Sequence, residues 1–90
     1  MHFEWDLNKA KNNFIKHKVS FEEAATIFYD PLAVMGANPD HSYREERMIK
    51  SGISSSGRLL VVSHTDRGDK IRIISARKAK RYERRIYEEE

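Results

Sequence analysis

Ninety residues, 39% hydrophobic and 34% charged, make one small domain over residues 1–90, and the lack of cysteine excludes disulfide frameworks, thiol catalysis and cysteine-held metal or iron–sulfur centres. A chain of this size buries about 63% of its unfolded surface, so any active site is expected to be a shallow groove. The net charge of +3 hides an asymmetry: residues 58–85 hold ten Lys and Arg against three acids, a local excess of seven that points to a polyanionic partner.

The opening residues lack a basic start followed by an apolar stretch, and no apolar run approaches 18 residues, so a soluble, cytoplasmic protein without membrane contact is expected. Phe3 and Trp5 alternate with His2 and Glu4, the period of a half-buried strand. Asp6 then caps a first helix carrying Leu7, Ala10 and Phe14 on its apolar side and ending near His17. Ser20 and Glu23 form a capping box for a second helix whose stripe is Phe21, Ala24, Ala25 and Phe28, and Asp30-Pro31 stops it. Phe3, Trp5, Phe14, Phe21 and Phe28 are the expected aromatic core.

Residues 32–35 suit a short strand, and turn residues fill 36–40. Three strands follow, over 47–53, 58–65 and 70–75, joined by turns at Ser54-Ser55-Ser56-Gly57 and Asp66-Arg67-Gly68-Asp69 and forming an antiparallel meander. Ser75 is the expected N-cap of a last helix with Ala76, Ala79, Tyr82 and Ile86 on one edge and Lys and Arg elsewhere. The fold class is therefore α+β, with the order βααβββα and an antiparallel sheet packed against helices.

Several strings, in this order, carry a resemblance: Phe3-Glu4-Trp5-Asp6, the run from Lys16-His17-Lys18 to Glu23-Ala24, Phe28-Tyr29-Asp30-Pro31, Asp40-His41-Ser42 followed by Glu45-Glu46-Arg47, and Arg72-Ile73-Ile74-Ser75-Ala76-Arg77 leading to Glu83-Arg84 and Tyr87. Together they resemble the BrnT family of ribonuclease toxins across nearly the whole chain. The resemblance implies a RelE-like fold, RNA cleavage that arrests growth, and neutralisation by a ribbon-helix-helix, BrnA-like antitoxin through which the complex represses its own operator DNA. It also implies a heterotetramer of two toxins and two antitoxins.

Metal-free cleavage of RNA needs a base for the ribose 2′-OH, cations for the phosphorane charge and an acid for the leaving 5′ oxygen. Arg67 in a turn and Arg77 at the expected helix start are candidates to meet at one end of the sheet, with amides near residues 75–77 adding an anion site. Arg47 and Glu46 offer a third cation and a carboxylate base, although neighbours on a strand point to opposite faces. His17 is read either as the acid or base or as a C-terminal helix cap. Lys16, Arg72, Lys78 and Arg81 complete the expected RNA-binding set.

Glu22 and Glu23 read as first-turn structural acids, Asp30 as a turn residue and His41 as a solvated loop histidine with a second reading at the site. Tyr43 and Tyr87 are the aromatics most open to stacking on a base. The four histidines are scattered and the four glycines stand apart, so no metal, cofactor or phosphate loop is expected. A reading from another class is a non-catalytic nucleic-acid-binding or protein-interaction module that uses the basic helix alone.

Overall fold

A computed structural model describes residues 1–37 and 46–89. The chain forms β1 (His2–Glu4), α1 (Leu7–His17), α2 (Phe21–Thr26) with a 3-10 turn over Ile27–Tyr29, β2 (Val34–Ala37), β3 (Met48–Ile53), β4 (Leu59–Arg67), β5 (Lys70–Lys78) and α3 (Arg81–Glu89). The five strands form one sheet in the order β1-β5-β4-β3-β2, with β1 parallel to β5 and every other pair antiparallel. The expected α+β meander is present, and the short strand expected at residues 32–35 forms over 34–37 and pairs with β3 at the sheet edge, one strand more than the order βααβββα counts.

Local chemistry sets the boundaries. The Asp6 carboxylate accepts from the Lys9 amide at 2.9 Å and the Ser20 hydroxyl from the Glu23 amide at 3.0 Å, so both expected caps are made. The other half of the capping box is not, because the Glu23 side chain turns towards Ser54, Ser56 and Arg58. Gly57 and Gly68 take φ of 84° and 64° in the two turns, the left-handed region that costs glycine least.

Partners across the ladder share a face, and that rule divides the sheet. Leu60, Val62, Ile73 and Ala76 point to the side of α2, where they pack with Val19, Phe21, Ala24, Ile27 and Phe28 as the core. Phe3 meets Phe28 edge-on at 5.2 Å and Trp5 meets Phe21 at 5.9 Å. On the opposite side α3 lies over β3, and Leu59 and Val61 are buried as well. Four successive residues of β4 are therefore inaccessible, as expected of a central strand covered on both faces.

Two expectations are corrected. Phe14 is half exposed and Leu7 is 79% exposed, because α1 turns Ala10, Asn13 and His17 inward. Asn13 is 7% exposed and its amide donates to the Val19 and Ala76 carbonyls, both at 2.9 Å, while its oxygen accepts from the Ala76 amide at 3.1 Å. It occupies the edge of β5 that β1, ending at Glu4 opposite Arg72, leaves unpaired. The second correction concerns Ser75, which caps no helix: β5 continues to Lys78 opposite Leu60, and α3 begins only at Arg81. Ladder pairing with β4 overrides the local helix signal there.

Candidate functional site

The polar face of β4 and β5 carries three of the expected residues, Arg67, Arg72 and Arg77. Reading along it, Arg67 faces Lys70, Thr65 faces Arg72, Ser63 faces Ser75 and Val61 faces Arg77. The register shifts between Ser63 and His64, so Ile74 has no opposite number and the face changes from even to odd residues of β5. Without that bulge Arg72 and Arg77, an odd number of residues apart, would point to opposite sides. Lys78, opposite Leu60, does point to the other side.

At one end Arg72 bridges Glu4 at 3.0 Å, and the Thr65 hydroxyl donates to the Glu46 carbonyl at 2.9 Å. Arg47 follows Glu46 and is half-buried just before Met48, which pairs with His64. Glu46, Arg47, Arg67 and Arg72 thus gather at this end. Arg77 does not join them. Six residues of β4 separate the partners of Lys70 and Arg77, a span of about 20 Å, so the expected meeting of Arg67 with Arg77 is not made.

At the far end Arg77 is held by Glu83 of α3 through two parallel bonds, at 2.7 and 2.9 Å. The Glu83 carboxylate also accepts from the Lys80 amide, which fastens the start of α3. The Arg77 guanidinium holds this carboxyl below the usual range, and Glu83 raises the arginine in return. No helix start lies at residues 75–77, so the expected amide anion site is absent there. Arg81 is exposed on α3.

Between the two ends, α1 meets the bulge of β5. Lys9, Asn12, Asn13, Lys16, His17, Ile74 and Ser75 line a shallow cleft of about 250 Å³, which brings His17 and Lys16 beside the exposed Ser75. His17 also stands in the last turn of α1 as a helix-cap histidine would. The two readings of this residue are therefore compatible in one geometry.

Other charged groups prove structural. Glu23 accepts from Ser54 at 2.6 Å, from Ser56, and from two nitrogens of Arg58. Arg58, helped by the hydroxyls against the cost of burial, holds its pKa at about 2. Asp30 accepts from the Leu32 and Ile53 amides and, at 2.7 Å, from the Tyr87 hydroxyl. Burial alone would raise its carboxyl, but these donors outweigh it and the net shift is downward. Tyr87, pushed up to about 12 by Asp30, is a tether for α3 rather than a free stacking platform. Sequence reasoning missed Asn13 and the pairing of Glu83 with Arg77; Glu83 stood in the string that follows Arg77, six residues on, with no role attached to it. His41, Tyr43 and residues 38–40 of the expected turn lie outside the described residues.

The model of the family "ribonuclease toxin, BrnT, of type II toxin-antitoxin system" matches residues 5–83. The chain belongs to the BrnT family. Among solved structures, the 1.1 Å crystal structure of the Brucella abortus ribonuclease toxin BrnT matches with a TM-score of 0.65 and 20% identity, covering 90% of this chain and 99% of that one. At that identity the likeness speaks for the fold of a BrnT protein, with its mixed sheet and helices. No curated protein matches the chain in sequence. The family is one of ribonuclease toxins of type II toxin–antitoxin systems, and among the described residues no helix is long and apolar enough to cross a membrane.

Proposed function

We propose that the chain cleaves RNA endonucleolytically and without a metal, with the strand laid along the polar face of β4 and β5. The observation that carries this reading is the bulge at Ile74, because it puts Arg72, Ser75 and Arg77 on the same face as Thr65 and Arg67. Arg47, Arg67 and Arg72 hold phosphates at one end and Lys16 holds them beside Ser75, while Lys78, on the other side of the sheet, and Arg81, on α3, lie off this track. The guanidinium groups of Arg47 and Arg67 suit bidentate phosphate contacts, and Arg77, positioned by Glu83, stabilises the phosphorane charge through the N–H groups that this bridge leaves over.

His17 is the proton-transfer group. It shares the Ser75 cleft, whereas Glu46 is exposed and joins the face at Thr65, on the side of Arg67 and Arg72. Glu46 therefore supports binding and the position of Arg47. Cleavage of cellular RNA would arrest translation and growth in the cytoplasm until a ribbon-helix-helix antitoxin, in a complex of two toxins and two antitoxins bound to operator DNA, covers the toxin.

Antitoxin-free protein incubated with single-stranded RNA in excess EDTA, read on a denaturing gel, tests the proposal. The native chain is expected to cut, His17→Ala and Arg77→Ala to lose at least 100-fold in rate while folded by circular dichroism, and Glu46→Gln to lose less than tenfold. Salt-sensitive RNA binding without scission by the native chain, on naked RNA and on translating ribosomes, would replace the enzyme reading with that of a binding module.

A further inference from the structure

β2 is the terminal strand of the sheet, and its outer edge has no neighbouring strand among the described residues. Natural sheets defend such an edge with charge, proline or a bulge, yet Val34-Met35-Gly36-Ala37 has none of these. Two depressions flank it. One, of about 240 Å³, runs between β2 and α3, with Tyr82 and Ile86 as its outer wall. The other, of about 690 Å³, lies towards Pro31 and Leu32 and shares Val34, Met35 and Tyr87 with the first. Met35 is 56%, Tyr82 60% and Ile86 51% exposed, so large apolar side chains stand in water on both sides of an unpaired backbone. Gly36 adds no bulk: a Cβ there would meet nothing within 4 Å.

An unpaired strand edge selects its occupant by chemistry. Its row of amides and carbonyls is matched by another extended polypeptide, whose alternate side chains fill the depressions. A second copy of this chain is disfavoured, since pairing β2 with β2 would bring two chains of net charge +3 together with Arg81, Arg84 and Arg85 of both copies on the same side of the joined sheet. Those same arginines, with Lys80 just before α3, complement an acidic segment.

We propose that an extended, acidic segment of the antitoxin adds to β2 as a sixth strand and sets apolar side chains against Tyr82 and Ile86. This rests on the reading of the chain as a toxin with a protein antitoxin, and it locates the docking surface at the edge strand β2, which β3 separates from the β4 and β5 track. The toxin is then held by a sheet edge that its substrate does not use.

Hydrogen exchange tests it, on the native chain alone and on its complex with the antitoxin protein co-expressed from the neighbouring reading frame. Outward-facing amides within residues 34–37 are expected to exchange at least tenfold more slowly in the complex. Met35→Glu/Ile86→Glu, at two exposed positions, is expected to bind the antitoxin at least tenfold more weakly while cleaving RNA at the native rate. A complex that forms with β2 unprotected, or with protection on the exposed Leu7, Phe14 and Ile15 of α1, overturns the docking surface and leaves the antitoxin reading standing. Concentration-dependent protection of β2 in the antitoxin-free chain overturns it in favour of a second copy. Failure of the native chain to form any complex overturns both.

Discussion

Replacing Asn13 by alanine removes three hydrogen bonds at once, to the Val19 carbonyl and to both the carbonyl and the amide of Ala76. Each contributes about 1 kcal/mol net, and each leaves a backbone group behind that is shielded from water, at a cost of about 1–3 kcal/mol if nothing replaces the lost partner. A loss of about 3–5 kcal/mol is the expected result. Set against the about 5–13 kcal/mol that a chain of 90 residues typically has in hand, this brings the fold close to its limit. Urea titration followed by circular dichroism measures it, with the midpoint falling while the slope stays constant. Asn12→Ala, one position away on the exposed side of α1, is the control and is expected to shift stability by no more than about 0.5 kcal/mol. A loss below about 1 kcal/mol for Asn13→Ala would refute the assignment of this side chain as the cover of the β5 edge.

Two further outcomes concern pH. Glu23 has a folded pKa of about 2 against an ordinary 4.5, so its stabilising contribution is complete above about pH 4.5 and is lost as the pH falls towards 2; Glu23→Gln is expected to flatten the thermal melting profile across that window. His64 is buried beside Phe28 at 4.9 Å, and neither ring nitrogen has a hydrogen-bond partner among the described residues. Burial lowers its pKa and Lys50 adds to the effect, while Asp66 opposes it. The folded chain thus keeps the ring neutral where the unfolded chain binds a proton, so stability is full above about pH 6.5 and declines below it. His64→Leu is expected to remove the decline between pH 6.5 and 5 in urea titrations, and an unchanged slope there would contradict the neutral, unpartnered ring.

The strands were legible because the short apolar run Leu59-Leu60-Val61-Val62 and the β-branched Ile71, Ile73 and Ile74 suit strands, and the caps at Asp6 and Ser20 because their partners lie three residues away. What escaped depends on contacts far apart in the chain. The inward turn of Asn13 instead of Phe14 answers an unpaired edge 63 residues away, and the extension of β5 past Ser75 answers the length of β4. At the site, residue types were readable while their grouping was not: the bulge at Ile74 decides which arginines share a face, and alternation alone does not announce a bulge. Hence Arg67 and Arg77 were expected together and lie about 20 Å apart.

The parallel pairing of β1 with β5 has a consequence for the order of assembly. Glu4 and Arg72, 68 residues apart, meet only after nearly the whole chain has been synthesised, and Asn13 finds Ala76 later still. On a ribosome the first strand must wait, without its neighbour, until the fifth emerges, and closing so long a loop is a late and slow event in folding. The face that carries Arg72, Ser75 and Arg77 therefore comes into being last. On the proposed reading, a nascent chain has no assembled RNA face up to that moment, so activity would begin only with the nearly complete chain.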